Sequence, residues 1–334
     1  MPSRSVIACV GAGRMGRGIA HCFAYAGHEV RLIDAKERPA GAQQAYFDAA
    51  LGEVRASLDM VARLGGFDAA AIDGIVERIS FFSLLEVAQG LQDAGIVFEA
   101  VPETDDAKRD GLRLIDGFAD PTAIVASTTS TYLSTQLAGW SGRPRRFLNA
   151  HWLNPAFIVP LVEVSPTDKT DAAVVTELCE LLESIGKVPV VCKASPGYIV
   201  PRIQALAMNE AARLVEEGVA SAEDIDKAVK YGFGFRFAVL GLLEFIDWGG
   251  GDILYHASRY MTGAMKDERF AAPAIVHRNM EEGRNGLRDG RGFYDYGNID
   301  TDSYRQERMK DFLDMLVRSG MHRQPADITA GGEG

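Results

Sequence analysis

The segment SVIACVGAGRMGRGIAHCFAYAG, residues 5–27, leaves this chain few folds to choose from. A short β-branched run ends at Val10. Three glycines follow in G-x-G-x-x-G order, Gly11, Gly13 and Gly16, and a helical pattern begins near Arg14. In such a turn the first glycine permits the sharp bend, the second lets backbone approach a pyrophosphate, and the third lets helix pack on strand. The helix N-terminus then faces the anion. Glycine-rich turns are common, so the context decides. A second apolar run, EVRLI at 29–33, ends on Asp34, eighteen residues beyond Gly16. A carboxylate there accepts bonds from ribose hydroxyls and repels a 2′-phosphate. Strand, glycines, helix, strand and acid together predict a dinucleotide site for NAD rather than NADP. Its residues are Gly11, Gly13, Gly16 and Asp34, with Arg14 and Met15 between the glycines; Lys36 and Arg38 lie close by.

Further short runs continue the pattern: GIVFEA (95–100), TAIVAS (122–127), RFLNA (146–150) and VPVVCK (188–193). They are continuously apolar rather than alternating, as parallel strands buried on both faces are. Alternation of such strands with helical segments predicts an α/β fold, a Rossmann-type, doubly wound, mainly parallel sheet. Residues 36–92 interrupt it as a helical excursion. Within it, 42–66 reads as one amphipathic helix ended by glycines, and 68–78 as another. Beyond Lys193 the pattern turns helical. SPGYIVPRIQALAMNEAARLVEEG (195–218) opens on Ser-Pro and closes on Gly, and SAEDIDKAVKYG (221–232) starts with Ser221 as N-cap. The expected division is a nucleotide-binding domain over 1–193, an all-α C-terminal domain over 194–315, and a polar, glycine-rich flexible tail over 316–334.

With 334 residues the chain is long enough for two domains. Its net charge of −11 argues against a nucleic-acid or anionic-membrane partner. No apolar run approaches a membrane span. Cys9, Cys22, Cys179 and Cys192 have neither metal-knuckle nor C-x-x-C spacing, no signal peptide precedes the first strand, and the expectation is a cytoplasmic protein with free thiols and no metal.

Two titratable groups then stand out in apolar company. AHWLNPAFIVPLVEV (150–164) holds His151 at its front and Glu163 near its end. Taken alone, the pair reads as a core histidine and a strand-end carboxylate. Other strand ends change that reading. Glu103 and Lys108 follow the third strand, the hydroxyl-rich STTSTYLS (127–134) follows the fourth, and Asn154 lies just past His151. Open α/β sheets bind ligands at such carboxyl ends. Oxidising a secondary alcohol needs a base for the hydroxyl proton, and imidazole has the right range. A carboxylate on its other nitrogen fixes the tautomer.

The pieces VGAGRMGRGIA, VFEAVPE, STTST, AHWLNP with PLVEV, SPGYIV, VASAEDIDKAVKYG and GRGFYDY run in order from residue 6 to 296. In these the chain resembles the L-3-hydroxyacyl-CoA dehydrogenase family. The resemblance implies an NAD-dependent oxidoreductase that reversibly oxidises the 3-hydroxyl of a short (S)-3-hydroxyacyl-CoA, such as 3-hydroxybutyryl-CoA, and dimerises through its helical domain. It implies His151 as base, Glu163 as its orienter, and Ser130 and Asn154 on the reacting oxygen. Glu103 and Lys108 match residues at the cofactor and substrate end of the cleft.

Three departures accompany it. Pro201 stands where the family has an active-site asparagine, with Gln204 one turn on as a candidate replacement. MVARLGGF (60–67) holds only Arg63 where CoA-using members are lysine-rich. GFGFRFAVLGLLE (232–244) looks more like the λ-crystallin/L-gulonate and carnitine dehydrogenases, where Arg236 would pair with a free carboxylate. Two alternatives therefore stand beside the thioester: the same chemistry on a free small 3-hydroxy acid, and a non-catalytic NAD-binding scaffold.

Overall fold

Among the described residues, eight strands form one sheet in the order β3-β2-β1-β4-β5-β6-β7-β8. The structure, a computed structural model, describes residues 6–39 and 41–323. Chain order begins β1 (Val6–Val10), α1 (Arg14–Tyr25), β2 (Val30–Ile33), α2 (Ala42–Arg63), α3 (Ile72–Val76), β3 (Ile79–Phe82), α4 (Val87–Leu91) and β4 (Ala94–Glu99). It continues α5 (Asp105–Phe118), β5 (Ile124–Ser127), α6 (Ser134–Ala138), β6 (Phe147–Trp152), β7 (Leu161–Pro166), α7 (Ala172–Ser184) and β8 (Val188–Val191). Every pairing is parallel except β6 with β7. The doubly wound, mainly parallel sheet expected from the sequence is therefore present. Strand order reverses beside β1, so a crevice opens beyond the carboxyl ends of β1 and β4.

Two strands were not expected. ISFF (β3) lies inside what reads as a helical excursion, and its outer residues are only partly buried at the sheet edge. LVEVSP (β7) runs antiparallel to β6, with His151 opposite Glu163 in register. Glu163 thus sits within a strand rather than at its end.

The core explains why these runs stay put. Phe23 of α1, Phe98 of β4 and Trp152 of β6 are buried, with ring centroids 5.6–6.1 Å apart. Each contributes about 1.5–3 kcal/mol by leaving water. The turn at Gly11 has φ +111°, and an added Cβ would lie 2.4 Å from the Ala100 carbonyl oxygen. At Gly16 a Cβ would lie 2.0 Å from the Gly11 carbonyl oxygen. Both positions require glycine for packing alone.

After β8 the chain enters α8 (Val200–Glu216), shorter at its start than the 195–218 read from the sequence. Two compact units part within this helix: one ends at Ala207 and the next begins at Met208. The second unit is helical: α9 (Ala222–Ala228), a π turn over Val229–Gly234, α10 (Phe235–Phe237), α11 (Leu242–Gly249), α12 (Gly251–Met265), α13 (Ala274–Glu281) and α14 (Thr301–Arg318). Ser221 caps α9 by accepting from Asp224 N at 3.1 Å, as its position predicts. The GRGFYDY segment is tied down by buried Asp247, which accepts from Phe293 N (2.9 Å), Tyr294 N (2.8 Å) and the Tyr296 hydroxyl (3.2 Å). Of the expected tail over 316–334, residues 316–318 are helical, and 324–334 lie outside the described residues.

Candidate active site

His151 and Glu163 face each other across the antiparallel pair β6–β7. Both are buried, and His151 Nδ1 lies 2.8 Å from Glu163 Oε2. The other oxygen, Oε1, accepts from Ile199 N at 2.9 Å and Val200 N at 2.8 Å, at the start of α8. With Oε1 taken up by two main-chain donors, Oε2 faces the imidazole as an acceptor, so Nδ1 donates to it and Nε2 is the nitrogen left to act as base. The nearby Cys192 thiol is pushed up, by burial first and then by the charge on Glu163.

Tyr198 completes the arrangement. Its ring stacks on the His151 imidazole, centroids 4.9 Å apart and planes at 8°. Its hydroxyl donates to Thr129 O at 2.9 Å and accepts from Asn149 Nδ2 at 2.9 Å. Its φ of +44° turns the ring onto the histidine just before the chain enters α8. Burial pushes the phenol up, so it stays neutral. Neither Tyr198 nor Asn149 was singled out in the sequence. Ser-Pro-Gly before an aromatic at a helix start was the available signal.

Pro201 is the second residue of α8, where a backbone N–H would lack a helical partner. The proline therefore fits the helix, and it brings no side-chain donor. Gln204 is exposed further along α8. Ser130 and Asn154 are exposed at the ends of β5 and β6.

Glu103 accepts from the Thr129 and Thr131 hydroxyls, each at 2.6 Å, and pairs with Lys108 at 3.2 Å. Burial raises its carboxyl, and the hydroxyls and Lys108 outweigh that, leaving it below the usual carboxylate range. Lys108 itself is fully buried, with Nζ 3.0 and 3.1 Å from the two oxygens of fully buried Glu99. Ser127 also donates to Glu99 at 2.5 Å. Glu99 was missed, although a single acid inside an apolar strand is the same signal that marked Glu163.

At the crevice beside β1 and β4 lies a cavity of about 360 Å³, lined by Gly11, Gly13, Arg14, Asp34 and Val101 among others. An added Cβ at Gly13 would meet nothing within 4 Å, and Gly13 caps α1 with no side-chain bond to its first turn. That space and those free N–H groups fit a pyrophosphate. Met15 packs its side chain against the core. Asp34 is buried at the rim. The residues present fit NAD.

A Rossmann-type sheet that carries a glycine cradle after β1 and a buried His–Glu pair on β6 and β7 fits an NAD-dependent dehydrogenase acting on a CH–OH group. Residues 6–195 match the 3-hydroxyacyl-CoA dehydrogenase NAD binding domain, and residues 197–296 match the C-terminal domain of the same family. The chain belongs to the 3-hydroxyacyl-CoA dehydrogenase family. It is similar to the probable 3-hydroxybutyryl-CoA dehydrogenase of Bacillus subtilis, 32% identical over 87% of this chain and 96% of that one. It is also similar to the 5-formyl-3-hydroxy-2-methylpyridine 4-carboxylate 5-dehydrogenase of Mesorhizobium japonicum, 31% identical over 91% of this chain and 94% of that one. Among solved structures, the 3-hydroxyacyl-CoA dehydrogenase of Archaeoglobus fulgidus superposes with a TM-score of 0.74 at 31% identity, covering 95% of this chain and 100% of that one.

Proposed function

We propose that this chain reversibly oxidises the 3-hydroxyl of a short (S)-3-hydroxyacyl-CoA, with 3-hydroxybutyryl-CoA as the type substrate. The observation that carries this is the buried contact of His151 Nδ1 with Glu163 Oε2 at 2.8 Å, from which the tautomer follows. His151 Nε2 takes the hydroxyl proton as the C3–H bond breaks and the carbonyl forms. NAD, when bound, supplies the acceptor for the hydride. Glu163 stabilises the imidazolium that results. Ser130 and Asn154 bind the reacting oxygen, Glu103 borders the nicotinamide end with the buried Lys108 paired behind it, and Gly11, Gly13, Arg14, Met15, Gly16 and Asp34 hold the dinucleotide. Relatives named for 3-hydroxybutyryl-CoA support the thioester.

A free acid is the second reading, supported by the pyridine carboxylate dehydrogenase relative and by Arg236. That arginine is exposed, with Nε on Gly232 O at 3.0 Å and its guanidinium over Phe245. The domains follow: residues 1–193 bind NAD, and 194–315 serve substrate and a second copy. Helix α8 buries none of its side chains and exposes Leu206 and Met208, which supports a homodimer. Among the described residues no helix is long and apolar enough to cross a membrane. The four unpaired cysteines support a cytoplasmic setting.

The test is NADH oxidation with acetoacetyl-CoA beside free acetoacetate, and NAD reduction with L-gulonate and L-carnitine. Turnover of the thioester alone is expected. Turnover only with a free acid makes Arg236 the carboxylate clamp. NADH binding without turnover on any of them leaves the scaffold. His151→Ala as active as wild type sinks the mechanism.

A further inference from the structure

Asp34 does not face the cavity alone. Arg38 grips it with two nitrogens, Nε on Oδ2 and Nη2 on Oδ1 at 3.2 Å. The guanidinium carbon lies over the Tyr46 ring, 3.4 Å from its centroid, and the Tyr46 hydroxyl donates to Ala12 O at 2.9 Å within the glycine turn. Gln43 Nε2 also reaches Asp34, at 3.3 Å. Arg38 and Tyr46 both line the cavity. A planar cation on an aromatic face is held in orientation, with its fork free to exchange one oxyanion for another.

The charge around the cavity points the same way. Its lining includes the cations Arg14, Lys36 and Arg38 and the anions Asp34 and Asp110, one positive charge in excess. The whole chain carries −11. A buried aspartate at the end of β2 repels a 2′-phosphate when it stands unpaired. Here its charge is already met by Arg38, and a phosphate suits the same bidentate fork.

We propose that Arg38, seated on Tyr46, sets the nucleotide preference of this site and admits a 2′-phosphorylated dinucleotide beside NAD. Asp34 serves the ribose hydroxyls of NAD, and Arg38 with Lys36 serves the 2′-phosphate of NADP. This rests on the reading that the cavity holds the dinucleotide.

Direct binding tests it, by energy transfer from tryptophan to NADH and to NADPH in the full-length protein. Wild type is expected to bind NADPH within ~30-fold of NADH. Arg38→Leu is expected to raise the NADPH/NADH Kd ratio by ~10-fold or more, the worth of one charge-assisted fork. Arg38→Lys keeps the charge without the planar fork and should fall between; it carries the test if the leucine variant does not fold. An unchanged ratio in both variants overturns the proposal, as does wild type that binds NADH and ignores NADPH at millimolar concentration. Failure to bind NADH at all overturns the dinucleotide reading instead.

Discussion

The Tyr198 ring lies flat on the His151 imidazole, 4.9 Å between centroids, while the two residues after it donate their N–H groups to Glu163. One short segment thus fixes both members of the pair. An aromatic face on an imidazolium contributes about 0.5–2 kcal/mol. Tyr198→Phe keeps that face and loses only the hydroxyl bonds to Thr129 and Asn149. Tyr198→Ala loses the face and leaves a gap. The alanine variant should lower kcat by ~10-fold or more, with the phenylalanine variant within a few-fold of wild type. Steady-state kinetics with circular dichroism as a folding control measures it; equal kcat in both variants removes the stack from the mechanism.

Glu163 accepts three bonds: one from His151 and two from the α8 backbone. An amide has one acceptor oxygen and brings two donors. Glu163→Gln must therefore face a donor with a donor, either at His151 Nδ1 or at the helix start. The first outcome reverses the imidazole tautomer and should cut kcat by ~10³-fold or more. The second leaves buried N–H groups unpaired and should cost about 1–3 kcal/mol of stability. Turnover and urea unfolding together separate the two; a variant with wild-type values in both would show that Glu163 orients neither the imidazole nor the helix start.

The glycines of the cradle make opposite demands. Gly13 has open space where a Cβ would go and an extended φ of −77°. Gly16 has backbone oxygen 2.0 Å from that position. Gly13→Ala should still fold, at a cost of about 1 kcal/mol for placing alanine at an N-cap, and should bind NADH far more weakly. Gly16→Ala should lose stability even without ligand. A Gly13→Ala variant that binds NADH as wild type does would place the pyrophosphate elsewhere.

How much of this is readable in sequence follows from range. The cradle is local, and Gly11 to Asp34 declare it through one strand–turn–helix–strand unit. The His151–Glu163 pair is also close in the chain, and both side chains interrupt apolar runs. β3 escaped because ISFF, at the sheet edge, is short and sits between helices. β7 escaped because its pairing to β6 is antiparallel in a sheet otherwise read as parallel. The grip of Glu163 on residues 199–200 and the bond from Asn149 to Tyr198 join distant positions, and no period or motif records a register. Lys108 shows the opposite difficulty. Its place in the sequence suggests a loop cation near cofactor, whereas burial against Glu99 ties its ammonium into the core.

His21 gives a prediction in pH. It is buried on α1, bonded through Nδ1 to Ser57 Oγ at 2.6 Å and stacked on Phe157 at 4.7 Å. Burial first, and then the Lys187 charge, lowers its pKa to about 4. The unfolded chain takes up this proton near pH ~6.5. Between those two values the unfolded state binds more protons, so stability falls as pH falls through this window. From pH 7 to pH 5 this group should cost about 2 kcal/mol. His21→Phe keeps the stack, loses the Ser57 bond at about 1 kcal/mol, and no longer titrates. Urea unfolding at both pH values should find the variant less stable than wild type at pH 7 and level with it or better at pH 5. Parallel losses in the two proteins would mean that His21 is already protonated in the fold.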